Sequence, residues 1–208
     1  MLKEKKAILI KKAVSKELTD FLTNYFKVRE QVYVTLKREG FIPFNSFEWG
    51  THDDKQVDSA YSIYGDFAGD VLLEKLIPKM KEVTKLDLIP TYSYCRVYKH
   101  GNVLIPHKDR FSCDISTTLC LGGNPWPFWY KKNNKKIKVN MEPGDMLVYL
   151  GNEIEHWRDK FEGQECVQIF LHYNLANHKL ADENIYDGRE HLGLPNYFGK
   201  LIDGKNTR

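Results

Sequence analysis

The sequence predicts a mainly β protein of the α+β class, with helices in the first 90 residues and a strand-rich core after them. Eight short apolar segments, separated by Gly, Asn and Asp, follow residue 91, and this spacing is typical of a sandwich, a jelly roll or a small barrel. Before them, apolar residues recur at intervals of three and four, which indicates amphipathic helices. We therefore expect N-terminal helices to brace one face of a sheet whose other face lines a cavity.

Two helical segments and one long loop make up the predicted N-terminal region. A short strand at residues 7 to 13 precedes a helix that Ser15 caps and that closes at Gly40. A second amphipathic segment runs from Val71 to Val83, with Pro78 as a kink. Residues 44–66 between them are polar and aromatic without a sustained period, which predicts a functional loop or lid.

Composition predicts one soluble domain. A chain of 208 residues is large enough for one buried core, and we divide it into helical support (1–90), β core (91–174) and a docked polar tail (175–208). The net charge of +3 is too small to indicate nucleic acid, and runs such as KKNNKK are expected to be solvated. No apolar run reaches the roughly 20 residues of a membrane span, so a cytoplasmic location is expected. The cysteines are expected to be reduced, buried thiols.

The segment GNVLIPHKDR carries the first candidate for metal chemistry. Side chains two apart in a strand share a face, so His107 and Asp109 are expected to point the same way. Non-haem Fe(II) oxygenases bind iron with two His and one carboxylate, and His156 on a later strand supplies the third ligand. His52 and Asp54 form a second His-x-Asp pair, but it has no preceding strand, and we expect it to lie in a surface loop.

Ordered motifs around these residues resemble a known family. YKHGNVLIPHKD and MEPGDMLVYLGNEIEHW are similar to segments of the 2-oxoglutarate and Fe(II)-dependent dioxygenases related to prolyl 4-hydroxylases, of the bacterial and phage type. The resemblance covers roughly residues 85 to 174. It implies a double-stranded β-helix core, of the jelly-roll or cupin-like kind, that holds Fe(II) through His107, Asp109 and His156. It also implies 2-oxoglutarate as cosubstrate, with release of succinate and CO2, and ascorbate as an accessory reductant.

The sequence departs from this family at the cosubstrate anchor. The family places an Arg or Lys about ten residues after the distal His, where this chain has Cys166. A buried carboxylate needs a cationic or multiply hydrogen-bonded partner, so another residue must take this role or the cosubstrate differs. Strand alternation offers Arg158 as the preferred anchor and Arg96 as the second, and Gln168 faces the same side as Cys166. The resemblance implies that Tyr98 assists, because it matches a family tyrosine that often contacts this carboxylate.

The resemblance implies hydroxylation of an unactivated carbon, in a prolyl residue of a peptide or protein or in a small molecule. One alternative is a nucleic-acid demethylase of the same superfamily, but such enzymes carry paired arginines after the distal His, and the next arginine after Arg158 is Arg189. Another is a non-catalytic cupin-like module that binds a metal or a partner, although the His-x-His and Glu cluster of cupins is absent. The oligomeric state is left open.

Overall fold

Two antiparallel sheets contain the ten strands found in the described part of the chain. The computed structural model of the protein describes residues 2–43 and 46–198. The strands are β1 (Ala7–Ile10), β2 (Tyr61–Tyr64), β3 (Leu88–Lys99), β4 (Leu104–His107), β5 (Ile115–Gly123), β6 (Phe128–Lys132), β7 (Lys135–Val139), β8 (Met146–Tyr149), β9 (His156–Arg158) and β10 (Glu165–Leu175).

The strand order is that of a jelly roll. One sheet has the order β1-β8-β5-β10-β3-β2 and the other the order β4-β9-β6-β7. Because strands distant in sequence are neighbours, the sheets are built by long crossovers and not by successive hairpins. The predicted fold class, a jelly-roll core with helical support, is confirmed.

Alternation along β3 and β10 separates a packed face from a cavity face. Cys95 and Val97 on β3 and Ile169 and Leu171 on β10 belong to the large hydrophobic core. The intervening residues, such as Arg96, point to the other side, between the two sheets. The four cysteines are buried and free, as predicted.

Helices cover the packed face of the six-stranded sheet. They are α1 (Leu2–Lys5), α2 (Lys16–Arg38), α3 (Phe67–Lys75), α4 (Ile77–Thr84) and α5 (Ala181–Asn184). The hydroxyl of Ser15 accepts a hydrogen bond from the Leu18 amide (3.3 Å), which confirms the predicted cap of α2. Phe26 of α2 and Leu73 of α3 are fully buried in the large core. None of the described helices is long and apolar enough to cross a membrane.

The second predicted helix is two helices. α3 ends at Lys75 and α4 begins at Ile77, with Pro78 in the first turn of α4. Proline fits there because the amide it lacks would have no helical partner, so it starts a helix and does not kink one. Val71, which we assigned to the apolar face, is 65% exposed.

The predicted loop at residues 44–66 contains a strand that the sequence pattern did not reveal. β2 pairs with β3, and Tyr61 lies opposite Val97. Tyr61, Ser62 and Ile63 are all buried, so the segment lacks the alternation that marks a half-exposed strand.

The β6–β7 hairpin has the connection that its sequence predicts. Lys132 lies opposite Lys135, which leaves Asn133 and Asn134 as a two-residue turn. Both asparagines have positive φ (49° and 59°), as a turn of type I′ requires.

The C-terminal segment docks on the β core, as predicted. After α5 it forms two short 3-10 turns (Ile185–Gly188 and Asn196–Phe198), and Leu192 packs against the large core. Residues 199–208 of the predicted tail lie outside the described residues. The single domain with divisions at residues 90 and 174 stays a prediction.

Candidate metal centre

Three predicted ligands meet at one end of the four-stranded sheet. His107 ends β4 and lies directly opposite His156, which begins β9. Asp109 follows β4 and brings its carboxylate Oδ1 to 3.7 Å from Nε2 of His107 and 3.5 Å from Nε2 of His156. Ligand atoms of the three residues all lie within 4.8 Å of one another, so the group can hold a metal ion.

Backbone carbonyls fix which nitrogen of each imidazole faces this point. Nδ1 of His107 bonds to the carbonyl of Ile105 (2.8 Å), and Nδ1 of His156 bonds to the carbonyl of Ile154 (3.0 Å). A nitrogen that donates to a carbonyl carries the proton, so Nε2 of each ring keeps the lone pair that binds a metal. Burial lowers the pKa of His107, which favours the neutral, metal-binding form.

A hydrogen-bond chain orients the carboxylate. Ser116 Oγ donates to Asp109 Oδ2 (2.6 Å) and lies 3.0 Å from Nδ1 of His172. The hydroxyl has one proton and gives it to the carboxylate, so His172 Nδ1 donates to Ser116. Burial lowers the pKa of His172 to about 4, which keeps this ring neutral at pH 7. Oδ1 of Asp109 is left facing the two imidazoles.

The charge of Asp109 is strongly favoured. Burial is the largest influence on its pKa and by itself raises it, but the nearby imidazoles of His156 and His172 and the hydrogen bond from Ser116 together outweigh burial and hold the pKa well below its usual range. The site therefore presents one carboxylate and two imidazoles, a set suited to a divalent first-row metal.

Gly151 allows the carboxylate to lie where it does. Its carbonyl accepts a hydrogen bond from the Asp109 amide (2.9 Å). A Cβ at this position would lie 2.1 Å from Ser116 Oγ and 2.5 Å from Asp109 Oδ2. A side chain here would displace the oriented carboxylate.

A cavity of about 300 Å³ opens at the three ligands and lies between the two sheets. Phe128, Tyr149 and Phe170 form apolar walls, and Arg96 reaches the cavity from β3. Arg96 already has a counter-ion, because its Nε and Nη2 donate to Asp54 Oδ2 at 2.9 and 2.6 Å.

Arg158 lies deeper in the barrel and has no such partner. Its side chain is fully buried, and it donates to the carbonyl of Trp126 and, at 3.2 Å, to both Thr118 Oγ1 and Gln168 Oε1. No carboxylate pairs with it among the described residues. Its Nε and the hydroxyl of Tyr98 are both buried without a hydrogen-bond partner.

The second His-x-Asp pair takes no part in the metal group. His52 Nε2 lies 3.4 Å from Glu30, and its ring packs against Tyr33. We expected Asp54 to lie at the surface, but its side chain is buried. It is 9% exposed in its side chain and forms the ion pair with Arg96, so this loop borders the cavity.

The structure, but not the sequence, is similar to known proteins. No family model and no curated protein matches the sequence. A prolyl-4-hydroxylase from Pseudomonas putida has a similar structure, with a TM-score of 0.63 over 82% of this chain and 92% of that one, at 15% identity. The fold is that of the 2-oxoglutarate and Fe(II)-dependent oxygenases. The resemblance inferred from the motifs is thus confirmed at the level of the fold.

Solved structures with this fold include enzymes of different kinds. HygX from Streptomyces hygroscopicus, whose structure contains nickel and 2-oxoglutarate, has a TM-score of 0.57 at 11% identity, over 83% of this chain and 84% of that one. SnoK, a carbocyclase from nogalamycin biosynthesis, has a TM-score of 0.57 at 12% identity, over 84% of this chain and 81% of that one. The oxygenase fold alone therefore leaves the reaction open.

Two buried polar groups that lie deeper than the residues lining the cavity could bind a carboxylate. A buried guanidinium without a carboxylate is costly, and an incoming carboxylate would satisfy both Arg158 Nε and the Tyr98 hydroxyl. Arg158 lies behind Phe128, whose ring centre is 5.4 Å from its Cζ. The anion would therefore enter past this ring.

Sequence reasoning missed several residues that shape this candidate site. Ser116 and Thr118 alternate along β5, and polar residues on an otherwise apolar strand were a usable signal for them. Asp187, which also lines the cavity, lies in the C-terminal segment, where no period marks it.

Proposed function

We propose that the protein is an Fe(II) and 2-oxoglutarate-dependent dioxygenase that hydroxylates an unactivated carbon of a prolyl residue in a peptide or protein. The observation that carries the proposal is the convergence of His107, Asp109 and His156 beside a buried, unpaired guanidinium. When bound, Fe(II) and 2-oxoglutarate supply the oxidation, in which a C–H bond, O2 and 2-oxoglutarate give C–OH, succinate and CO2.

The protein's own residues bind and orient the reactants. His107, Asp109 and His156 would hold the metal on one face and leave its other positions open. Arg158 and Tyr98 would hold the distal carboxylate of 2-oxoglutarate. The aromatic walls exclude bulk water from the reacting groups.

Arg158 is a better anchor than Arg96. Asp54 already neutralises the charge of Arg96. The carboxylate of Asp54 would repel a second carboxylate that bound to Arg96. Gln168, which accepts from Arg158, would orient the guanidinium and would not carry the charge.

The prolyl assignment rests on the motif resemblance and on the prolyl-4-hydroxylase from Pseudomonas putida as a structural neighbour. Nucleic acid is a poorer fit. Arg189 is buried against Asp70, and the cavity arginines Arg96 and Arg110 each have a carboxylate partner. Few cationic groups are therefore left for phosphates.

Anaerobic titration of the Fe(II)-loaded protein with 2-oxoglutarate tests the proposal. We expect a metal-to-ligand absorption band, and succinate release once oxygen and ascorbate are added. His107→Ala and Asp109→Ala should abolish both signals, whereas His52→Ala, from the second His-x-Asp pair, should retain them. Metal binding without the band would favour the non-catalytic cupin-like module, and succinate production by the ligand variants would refute the proposal.

A further inference from the structure

Residues 185–198, here called the C-terminal strap, are held to the protein by hydrogen bonds beside the metal cavity. Arg189 is 3% exposed, and its guanidinium donates to Asp70 (3.0 Å) and to the carbonyl of Tyr186 (2.7 Å). Just before the strap, the buried Asn184 donates to Asn174 of β10 (3.2 Å). These anchors dock the strap without using Asp187, which lies between them.

An unusual turn in the strap presents Asp187. Tyr186, Asp187 and Gly188 have consecutive positive φ angles of 52°, 60° and 73°. For the two residues that have a Cβ, such a conformation is unfavourable and persists only where the surroundings impose it. Strain of this kind is concentrated at ligand sites, and here it turns one carboxylate toward the cavity.

Asp187 forms a polar pair with Arg110 in the cavity wall. Its Oδ2 accepts from Arg110 Nη2 (2.6 Å) and from the Tyr64 hydroxyl (2.5 Å). Arg110 directly follows the metal-ligand candidate Asp109, and its guanidinium stacks 4.3 Å above the ring of Tyr92. The pair is thus part of the same cavity as the candidate metal site.

The chemistry of the pair selects the kind of group that it can bind. A carboxylate accepts a hydrogen bond and a guanidinium donates one, so together they match a neutral group that has both a donor and an acceptor. A peptide bond is such a group. A phosphate or an isolated carboxylate would be repelled by Asp187, and an isolated amine by Arg110.

We infer that Asp187 is a specificity-determining residue that accepts an N–H of the substrate backbone while Arg110 donates to a neighbouring carbonyl. The inference rests on the proposed function and adds the residues that position the chain. Proline has no N–H, so the nearest donor on the C-terminal side belongs to the residue that follows the target proline.

Calorimetric titration with two probes tests this inference. The protein is loaded with Ni(II) and 2-oxoglutarate, which prevents turnover. The first probe is acetyl-Gly-Pro-Gly-amide, and the second is its ester analogue, in which oxygen replaces the N–H after proline. Because hydrogen bonds to a charged group are strong, we expect wild-type protein to bind the amide at least roughly tenfold more tightly than the ester.

Asp187→Asn should reduce this discrimination to about threefold or less, because a neutral amide oxygen is the weaker acceptor. Asn is the matched replacement because it tolerates the left-handed backbone at this position. Asp182→Asn, on the exposed part of α5, is the control and should behave as wild type.

Equal binding of amide and ester by wild-type protein, or no binding of the amide, overturns the inference whether or not the variant folds. Full discrimination by folded Asp187→Asn overturns it as well. If the 2-oxoglutarate absorption band forms in these cases, the proposed dioxygenase activity stands. Absence of the band refutes the activity and the inference together.

Discussion

The substitution Tyr98→Phe tests whether the Tyr98 hydroxyl helps to bind 2-oxoglutarate, as proposed, without changing the packing of the ring. The hydroxyl is fully buried in the barrel and, like Arg158 Nε, has no hydrogen-bond partner among the described residues. Tyr98→Phe removes this one oxygen and leaves the ring, which packs against Trp126 with ring centres 4.8 Å apart. If this oxygen binds the carboxylate of 2-oxoglutarate, its removal should raise the stability of the protein without 2-oxoglutarate. The same change should weaken the binding of 2-oxoglutarate.

The magnitudes follow from the cost of an unmade hydrogen bond. A buried, unsatisfied hydroxyl costs about 1–3 kcal/mol, so Tyr98→Phe should stabilise the protein without 2-oxoglutarate by up to this amount. For a chain of this length that corresponds to a Tm increase of about 2–4 °C per kcal/mol. A hydrogen bond to a charged group contributes about 1.5–3 kcal/mol, so the Kd for 2-oxoglutarate should rise by about 10- to 150-fold.

Two measurements are needed, and a second tyrosine is the control. Thermal unfolding without 2-oxoglutarate gives the stability change, and anaerobic titration of the absorption band gives the Kd. Tyr173 is equally buried, but its hydroxyl donates to the Leu73 carbonyl (2.8 Å) on the packed face. Tyr173→Phe should therefore lower the Tm and leave the Kd unchanged. An unaltered Kd in Tyr98→Phe would refute the role of this hydroxyl.

Two further substitutions test the metal end and the loop. Gly151→Ala should weaken Fe(II) binding by tenfold or more, measured by metal titration, because its Cβ would lie 2.5 Å from Asp109 Oδ2, and an unchanged affinity would contradict the close approach. Burial by itself raises the pKa of Asp54, but the charge of Arg96 and the hydrogen bonds from Gln56, Tyr94 and Arg96 together outweigh it, and the pKa is lowered. Its stabilisation is therefore complete above its ordinary pKa near 4 and lost as pH falls through the lower folded value. Asp54→Asn should cost about 2–4 kcal/mol at pH 7 and flatten this acid limb of Tm against pH, whereas parallel curves would refute the pairing.

The metal group could be predicted because it depends on local geometry. The two-residue step from His107 to Asp109 and the strand that carries His156 determine which way these side chains point, whatever the rest of the chain does. Arg158 was found by the same rule, two residues beyond His156. Its missing counter-ion could not be predicted, because that depends on which distant side chains enter the barrel.

Residues outside regular alternation could not be placed from sequence. Asp54 was expected at the surface, since nothing in a polar loop shows that it meets Arg96, which lies 42 positions later in the chain. β2 was missed because both of its faces are buried. Asp187 lies within the short turn Ile185–Gly188, and its direction is set by left-handed backbone angles that the docked neighbours impose.

The basic run that follows Tyr130 lies on the β6–β7 hairpin, at the edge of the four-stranded sheet. β7 is the last strand of its sheet, so one row of its backbone amides and carbonyls is open to another chain. Lys135, Lys136 and Lys138 are exposed along this margin. Their like charges disfavour the pairing of this edge with the same edge of a second molecule.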